Sequence, residues 1–600
     1  MSSKLFSSDG LSNSYSRYEY LIIPSLMLLL QLFILPSSNG LFVETDNYAH
    51  ALRLLDFIQS GSWKETLYRH DNCPFGQMLH FTRITDMFLY LTALPFLPFV
   101  ELKKAIFFGG FLFNPVIACM TAAAFIWAGR AFHSAFFRFF CIFFYFSAGP
   151  VLSLFSAGRP DHHVLLNLFL ILLSGSLIYG SKTQKAAYYK TAGIFAGLSI
   201  WISPEGFLAS LFIFAGMVCA WLLKCQNMRQ IRIFSQFLFI TSLICLIVNP
   251  PMQGLFYPDN GRLSVLIVFI LGLACSSFYA EEIIEKKYSF ISTKKRFVSL
   301  SFFTLVSVVL VLSIFGKEAF LSSPIPPELH DIWTKTISEL KPYIFSEMFL
   351  FFYLFLFGFF SCFCASLQIK KLLITFLFPF LMFLLLMFVV GRFSRPCMVF
   401  ASIILLLSLG AMEKHIPFLR NKNNLIILSL LLLGIHANEI RSFYKEAIEK
   451  RKNEMIPAEY LPYIPQNKSC LLTLENDGPG IAWWTGRPVI GTNYHTNIQG
   501  IIDNHALLKG TDINLVIDLL KKRSISTILL NVAYLNEMRL KKEKRKIEAT
   551  FIDENSFLNL LLTRKVRFCF LQQTELPDSI KEKYLIYNVD FNACSKDELK

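Results

Sequence analysis

Between two long apolar runs the chain reads Gly158-Arg159-Pro160-Asp161-His162-His163. Ionisable residues beside membrane spans are costly to keep and usually functional. A carboxylate and an imidazole two positions apart, Asp161 and His163, can hold one divalent cation. Two other stretches carry groups of the same kind. Glu44-Thr45-Asp46-Asn47-Tyr48-Ala49-His50 follows the first apolar run, and Thr336-Ile337-Ser338-Glu339 lies in a long interval between spans. Arg392, in Val390-Gly391-Arg392-Phe393-Ser394-Arg395-Pro396, adds a guanidinium whose planar fork suits a diphosphate beside a metal. This chemistry points to a membrane enzyme rather than a channel or an anchor.

Each group also has a plainer reading. Asp46 and Asp161 are residue types that cap helix N-termini, Asp161 directly after a proline. Glu339 on a loop is by default a solvated charge, and Arg392 at the end of a span can snorkel to the interface. Three motifs on one face shift the balance toward a site. That agreement comes from the topology, which rests on other residues.

Hydrophobic residues make up 54% of the 600, and the mean hydropathy is +0.49, so a soluble globular chain is excluded. Apolar runs at 20–36, 121–145, 164–178, 233–248, 263–279, 298–315, 348–367, 373–390 and 425–435 are mostly long enough to cross a bilayer as helices. The Pro-Ser-Ser-Asn-Gly after the first run is a poor cleavage site, so that run reads as a retained span. The formal charge of +15 sits in short loops: Lys182, Lys185 and Lys190; Lys224, Arg229 and Arg232; Lys286, Lys287, Lys294, Lys295 and Arg296; Lys370 and Lys371; Lys414, Arg420 and Lys422. One topology puts all of them on the cytoplasmic face, as the positive-inside rule requires, and this argues against nucleic-acid binding. The 13 cysteines show no metal-finger spacing and lie mostly in apolar runs, so no disulfide is expected.

That topology places residues 1–18 inside and a first outer loop at 40–103, with an interfacial helix at 86–100. It then gives about 13 crossings in all, a second outer loop at 317–346, and a polar segment outside from residue 439. Two buried strands at 469–474 and 526–531, with a helix around Ile513–Lys522 between them, make that segment a small α/β domain. The expected fold class is therefore a polytopic α-helical membrane protein, spanning 1–438, with an external C-terminal α/β domain at 439–600. The expected location is the inner or plasma membrane, with the N-terminus cytoplasmic and the C-terminal domain outside.

The order of the motifs resembles the catalytic subunit of oligosaccharyltransferase, including its bacterial and archaeal single-subunit forms, which are C-type (GT-C) glycosyltransferases. Thr45-Asp46-Asn47-Tyr48-Ala49 is similar to that family's first acidic motif. Asp161-His162-His163 is similar to its second, of the archaeal type. Thr336-Ile337-Ser338-Glu339 fits its T-I-x-E motif, and Gly391-Arg392-Phe393 its diphosphate-contacting arginine. The resemblance covers about residues 20–500. It implies Asp46, Asp161 and His163 as ligands of Mg2+ or Mn2+, and Asp46 and Glu339 as the groups that orient or deprotonate the acceptor. It implies Arg392 and His495 on the donor diphosphate.

The reaction so implied moves a glycan from a polyprenyl diphosphate to a protein asparagine on the outer side, with inversion at the sugar, by a single chain acting as a monomer. One departure stands out. Where the family carries W-W-D-Y-G, this chain reads Leu474-Glu475-Asn476-Asp477-Gly478-Pro479-Gly480, and Trp483-Trp484 are followed by Thr485-Gly486. Two rival functions remain open. One is transfer of a sugar from a polyprenyl phosphate to a lipid, a polysaccharide or another acceptor lacking the sequon. The other is transport of lipid-linked sugars, against which stand surface-placed motifs and the lack of an internal repeat.

Overall fold

The computed structural model describes residues 12–34, 40–64, 67–131, 135–288, 292–317, 325–332, 348–412, 454–536, 553–564 and 566–594, with isolated pieces between 334 and 343 and between 415 and 448. The chain forms two units. One holds residues 1–37, 81–324 and 338–444, and the other holds 38–80, 325–337 and 445–600.

The first unit is helical. Among the described residues, eight helices are long and apolar enough to cross a membrane: Leu102–Gly129, His162–Thr183, Pro204–Leu222, Met228–Val248, Val265–Lys287, Thr293–Phe315, Leu367–Met387 and Gly391–Met412. Three shorter apolar helices, Tyr18–Leu32, Phe137–Ser147 and Phe349–Cys364, bring the total to eleven. The expected run at 425–435 lies outside the described residues. The spans differ in what covers them. Thr293–Phe315 is 6% buried and stands uncovered by the other described residues along nearly its whole length, whereas His162–Thr183 and Gly391–Met412 are each 89% buried. Those two central helices begin at Asp161 and at Arg392.

Close packing comes from small residues, since lipid supplies no hydrophobic drive between helices. A Cβ at Gly193 would lie 2.5 Å from the Phe234 carbonyl, and one at Gly197 would lie 2.7 Å from the Thr241 side chain. Helix Ala186–Ile202 therefore meets Met228–Val248 backbone to backbone. The apolar stretch after residue 82 forms helix Arg83–Ala93. It carries a buried Arg83–Asp86 ion pair and packs so tightly on Leu102–Gly129 that Gly109 faces the Ala93 backbone.

The second unit is built on a four-stranded sheet of β1 (Cys470–Leu472), β2 (Ile525–Asn531), β3 (Leu571–Gln573) and β4 (Tyr584–Val589), in the order β1-β2-β4-β3. The β1–β2 pair is parallel, with Leu472 opposite Ile528, and the other two pairs are antiparallel. A parallel pair needs a crossover. Helices Gly478–Thr485, Ile498–Lys509 and Ile513–Lys522 supply it. Ile513–Lys522 forms where expected: Asp512 caps it, accepting from the N–H groups of Asn514 and Leu515, and Val516, Ile517, Leu519 and Leu520 make its buried face. β1 falls inside the first expected strand, β2 starts one residue before the second, and β3 and β4 extend the sheet beyond them.

Disulfides join Cys73 to Cys470 and Cys569 to Cys594, which corrects the expectation of none. These four cysteines all lie in the second unit, and the other nine are free. The first bridge fastens residues 68–77 to β1. Backbone bonds from Cys73 to Val489 and from Val489 to His70 run beside it.

Candidate functional site

The first unit gathers a charged cluster at the N-terminus of helix His162–Thr183. Pro160 holds the chain extended into Asp161 (φ −122°, ψ 134°), which takes the cap position. Its Oδ1 accepts from the His163 N–H at 2.9 Å and lies 3.3 Å from His162 Nδ1. Its Oδ2 lies 3.7 Å from Arg159 Nε. One ligand atom from each of Asp161, His162 and His163 falls within 4.8 Å of the others, and no further group of this kind occurs among the described residues. Phe81 packs on the His162 ring at 5.5 Å.

Arg392 reaches this cluster from a short 3-10 turn, Gly391–Phe393, that leads into the other central helix. Its guanidinium lies 3.4 Å from His163 Nε2 and is ion-paired with Glu205, the second residue of helix Pro204–Leu222. Arginine can only donate, so that imidazole nitrogen presents its lone pair. Gly391 makes the turn possible: its N–H donates to the Lys341 carbonyl at 3.1 Å, and a Cβ there would sit 2.5 Å from the same oxygen.

Asp161, His163 and Glu205 are buried. Burial works to raise the Asp161 carboxyl, but His163, His162, Arg395 and Arg159 outweigh it and hold the group well below the usual carboxylate range. The positive groups around it thus favour the ionised form of Asp161. Three guanidinium groups (Arg159, Arg392 and Arg395) face two carboxylates here. The positive end of a 22-residue helix adds to them. The arrangement suits an anion together with a divalent cation, with carboxylate and imidazole donors for the latter.

The second unit holds Asp46 and His495. Helix Thr45–Ser60 is capped by Glu44, whose N–H donates to Asn47 Oδ1 at 3.0 Å, so Asp46 is not the cap. It occupies the second helical position instead, and Tyr494 OH donates to its carbonyl at 3.1 Å. His495 packs against His80 at 4.8 Å between ring centroids. Trp483 and Trp484 flank Tyr48 at 6.5 and 6.3 Å, with helix Gly478–Thr485 seated on helix Thr45–Ser60. Glu339 lies outside the described residues.

Deeper in this unit, Asp71 is fully buried and accepts from the Asn72 N–H, Gln77, Thr492 and Asn497. Burial pushes its carboxyl up to about 7 against these donors. Asp71 thereby pins residues 71–77 to the segment that carries Tyr494 and His495. Two groups escaped the sequence reading. Glu205 follows a proline at the mouth of an apolar run, which was a usable signal. Asp71 sits in an unpatterned loop and had none.

No protein-family model matches the chain, and no curated protein matches it in sequence. Solved structures do share its fold. The archaeal oligosaccharyltransferase AglB from Archaeoglobus fulgidus, solved with an inhibitory peptide and a dolichol-phosphate, matches with a TM-score of 0.71 at 13% identity, over 95% of this chain and 81% of that one. The apo oligosaccharyltransferase of the same organism gives 0.65 at 15% identity, over 88% and 71%. Its complex with Zn and sulfate gives 0.60 at 14% identity, over 86% and 68%. The chain thus shares the fold of these solved structures, with apolar spans in one unit and a sheet in the other.

Proposed function

We propose that this chain is a metal-dependent membrane glycosyltransferase. It transfers a glycan from a polyprenyl-diphosphate carrier to a protein asparagine on the outer side of the membrane. The observation that carries the reading is the Asp161–His162–His163 cluster, with Arg392 against it, at the start of the two most buried helices of a GT-C fold. Two disulfides in the unit that bears Asp46 and His495 support an oxidising, extracytoplasmic setting for that unit.

The donor set fits a divalent cation, since an ionised carboxylate and imidazoles with an available lone pair are its ordinary ligands. Asp161 and His163 hold it, joined by Asp46, and Mg2+ or Mn2+ is the expected ion. When bound it neutralises charge on the departing diphosphate. Arg392 binds the same diphosphate through its fork, and Glu205 keeps the guanidinium oriented before substrate arrives. His495 makes a further donor contact. Asp46 and Glu339 accept hydrogen bonds from the acceptor amide and turn its nitrogen toward the sugar carbon. The diphosphate leaves with the electron pair of the broken glycosidic bond, the acceptor nitrogen supplies the new one, and the Asp46 or Glu339 carboxylate takes the proton that nitrogen loses.

One observation favours a different acceptor on the same frame. Trp483 is buried in packing with Tyr48, and no W-W-D-Y-G run stands at the start of this domain. The deciding experiment gives purified protein a polyprenyl-diphosphate glycan, Mn2+ and two fluorescent peptides, Asn-x-Thr and Gln-x-Thr. Metal-dependent labelling of the first alone is expected. Consumption of the donor with neither peptide labelled identifies another acceptor. Full activity after chelation overturns the metal assignment.

A further inference from the structure

Helix His162–Thr183 ends at Gln184, about 33 Å from Asp161 at the usual rise per residue. At that far end the first unit forms an open pocket of about 730 Å³. Its walls carry Lys224, Arg229, Lys286 and Lys371 against Glu282 and Glu285. Both carboxylates are already engaged, Glu282 by Arg232 and Lys286, and Glu285 by Arg296. Among the described residues, no carboxylate pairs with Lys224, Arg229 or Lys371.

Lys371 is the informative one. It is 5% exposed, on an apolar span, and its ammonium meets only neutral oxygens, Tyr189 Oη and Gln230 Oε1, each at 3.3 Å. A buried charge with no countercharge is expensive in or beside a membrane. The span itself, Leu367–Met387, starts at this wall with a Ser366 cap whose side chain makes no capping bond. The N–H groups of Leu367 and Gln368, two wall residues, therefore lack an intrahelical partner. Cations beside the first turn of a helix on one pocket wall are the donor set of a phosphate site.

We propose that this cavity binds a phosphate-bearing anion at the end of the bundle opposite Asp161, with Lys371 as its buried countercharge and Lys224 and Arg229 at its rim. Two sources share that chemistry: the headgroup of an anionic phospholipid and a soluble phosphate. The site is distinct from the Asp161 cluster, and its test needs no transfer assay.

The full-length protein is placed in phosphatidylcholine nanodiscs, in the same discs with phosphatidylglycerol added, and in the first discs with inorganic phosphate titrated in. The thermal midpoint is read together with the alkylation rate of Cys225, a free thiol on the cavity wall, using the exposed Cys364 as reference. A rise in midpoint with selective protection of Cys225 is expected in one arm, and the arm identifies the source. Each lost cation is expected to weaken binding about tenfold, in Lys371→Met and in a Lys224→Gln/Arg229→Gln double variant. The double variant changes exposed positions only and decides the matter if Lys371→Met does not insert. The proposal fails if neither anion protects Cys225 in the wild type, or if the double variant binds as tightly.

Discussion

Asp161 both caps a helix and stands among candidate metal ligands, and two substitutions separate the roles. Asparagine is as good an N-cap as aspartate, so Asp161→Asn keeps the bond from the His163 N–H while removing the charge. Asp161→Ala removes both. The lost cap should make the alanine variant less stable than the asparagine variant by about 0.5–2 kcal/mol. Both variants remove the Asp161 charge beside Arg159, so that cost cancels between them.

Metal affinity should behave differently. Outer-shell partners of metal ligands are worth about 10–100-fold, and a direct ligand more, so both variants should lose Mn2+ binding by at least about 100-fold. The assay is thermal unfolding in detergent with and without Mn2+. At 100 times its Kd a ligand stabilises the folded protein by about 2.7 kcal/mol. The wild type should therefore show a metal-dependent shift, and both variants none, while the metal-free midpoints rank Asn above Ala. Glycan transfer should be lost in both. An asparagine variant that binds Mn2+ and transfers like the wild type, with only the alanine variant impaired, would show that Asp161 is a cap and nothing more.

Three further outcomes are expected. Glu205→Gln removes the countercharge that orients Arg392 and should lower kcat/KM for the lipid donor about tenfold, with little change in unfolding; an unchanged kcat/KM refutes the positioning role. The denatured, unreduced protein should take up nine alkyl groups and the reduced protein thirteen, counted by mass spectrometry, since four of the 13 cysteines are paired; thirteen before reduction would remove the argument for an oxidising compartment. Burial raises the Asp477 carboxyl to about 7, and its Oδ2 has no hydrogen-bond partner. The folded state then holds a proton that the unfolded chain releases between about pH 4 and 7, so this group's contribution falls as pH rises through that window and is flat above it. Asp477→Asn should therefore melt later than the wild type at pH 8, by at most about 4 kcal/mol, and converge with it near pH 4; no difference at pH 8 refutes the assignment.

Much of this architecture was legible because membrane sequences are blunt. Charges between apolar runs pointed to the Asp161 cluster, and a capped amphipathic pattern pointed to Ile513–Lys522. What stayed hidden depends on partners distant in sequence. Glu205 matters because it meets Arg392, which lies 187 positions away along the chain. Cys73 and Cys470 pair across a separation of 397. Reading cysteines as small hydrophobes holds for the nine of the helical unit and fails for the four of the sheet-bearing unit. Their neighbours, Asn72 and Pro74 among them, were the available hint.

The plain and the functional readings of Asp161 turn out not to compete. A residue that caps a helix must be extended, with its carboxylate turned back over the first turn, and Asp161 is. That geometry directs one oxygen to the backbone and leaves the other toward Arg159. It also fixes the next two side chains at the first two helical positions, where His162 and His163 stand with ring centroids 4.2 Å apart. The cap is thus the device that holds three ligand-type groups together at the end of a buried helix. Arg392 needs an equivalent anchor on a turn without a helix to define it, and Gly391, pressed against the Lys341 carbonyl, provides that anchor. Lys341 therefore helps set where the guanidinium stands, and the Tyr343 N–H, donating to the Met387 carbonyl at 3.0 Å, fastens the same stretch to the preceding span.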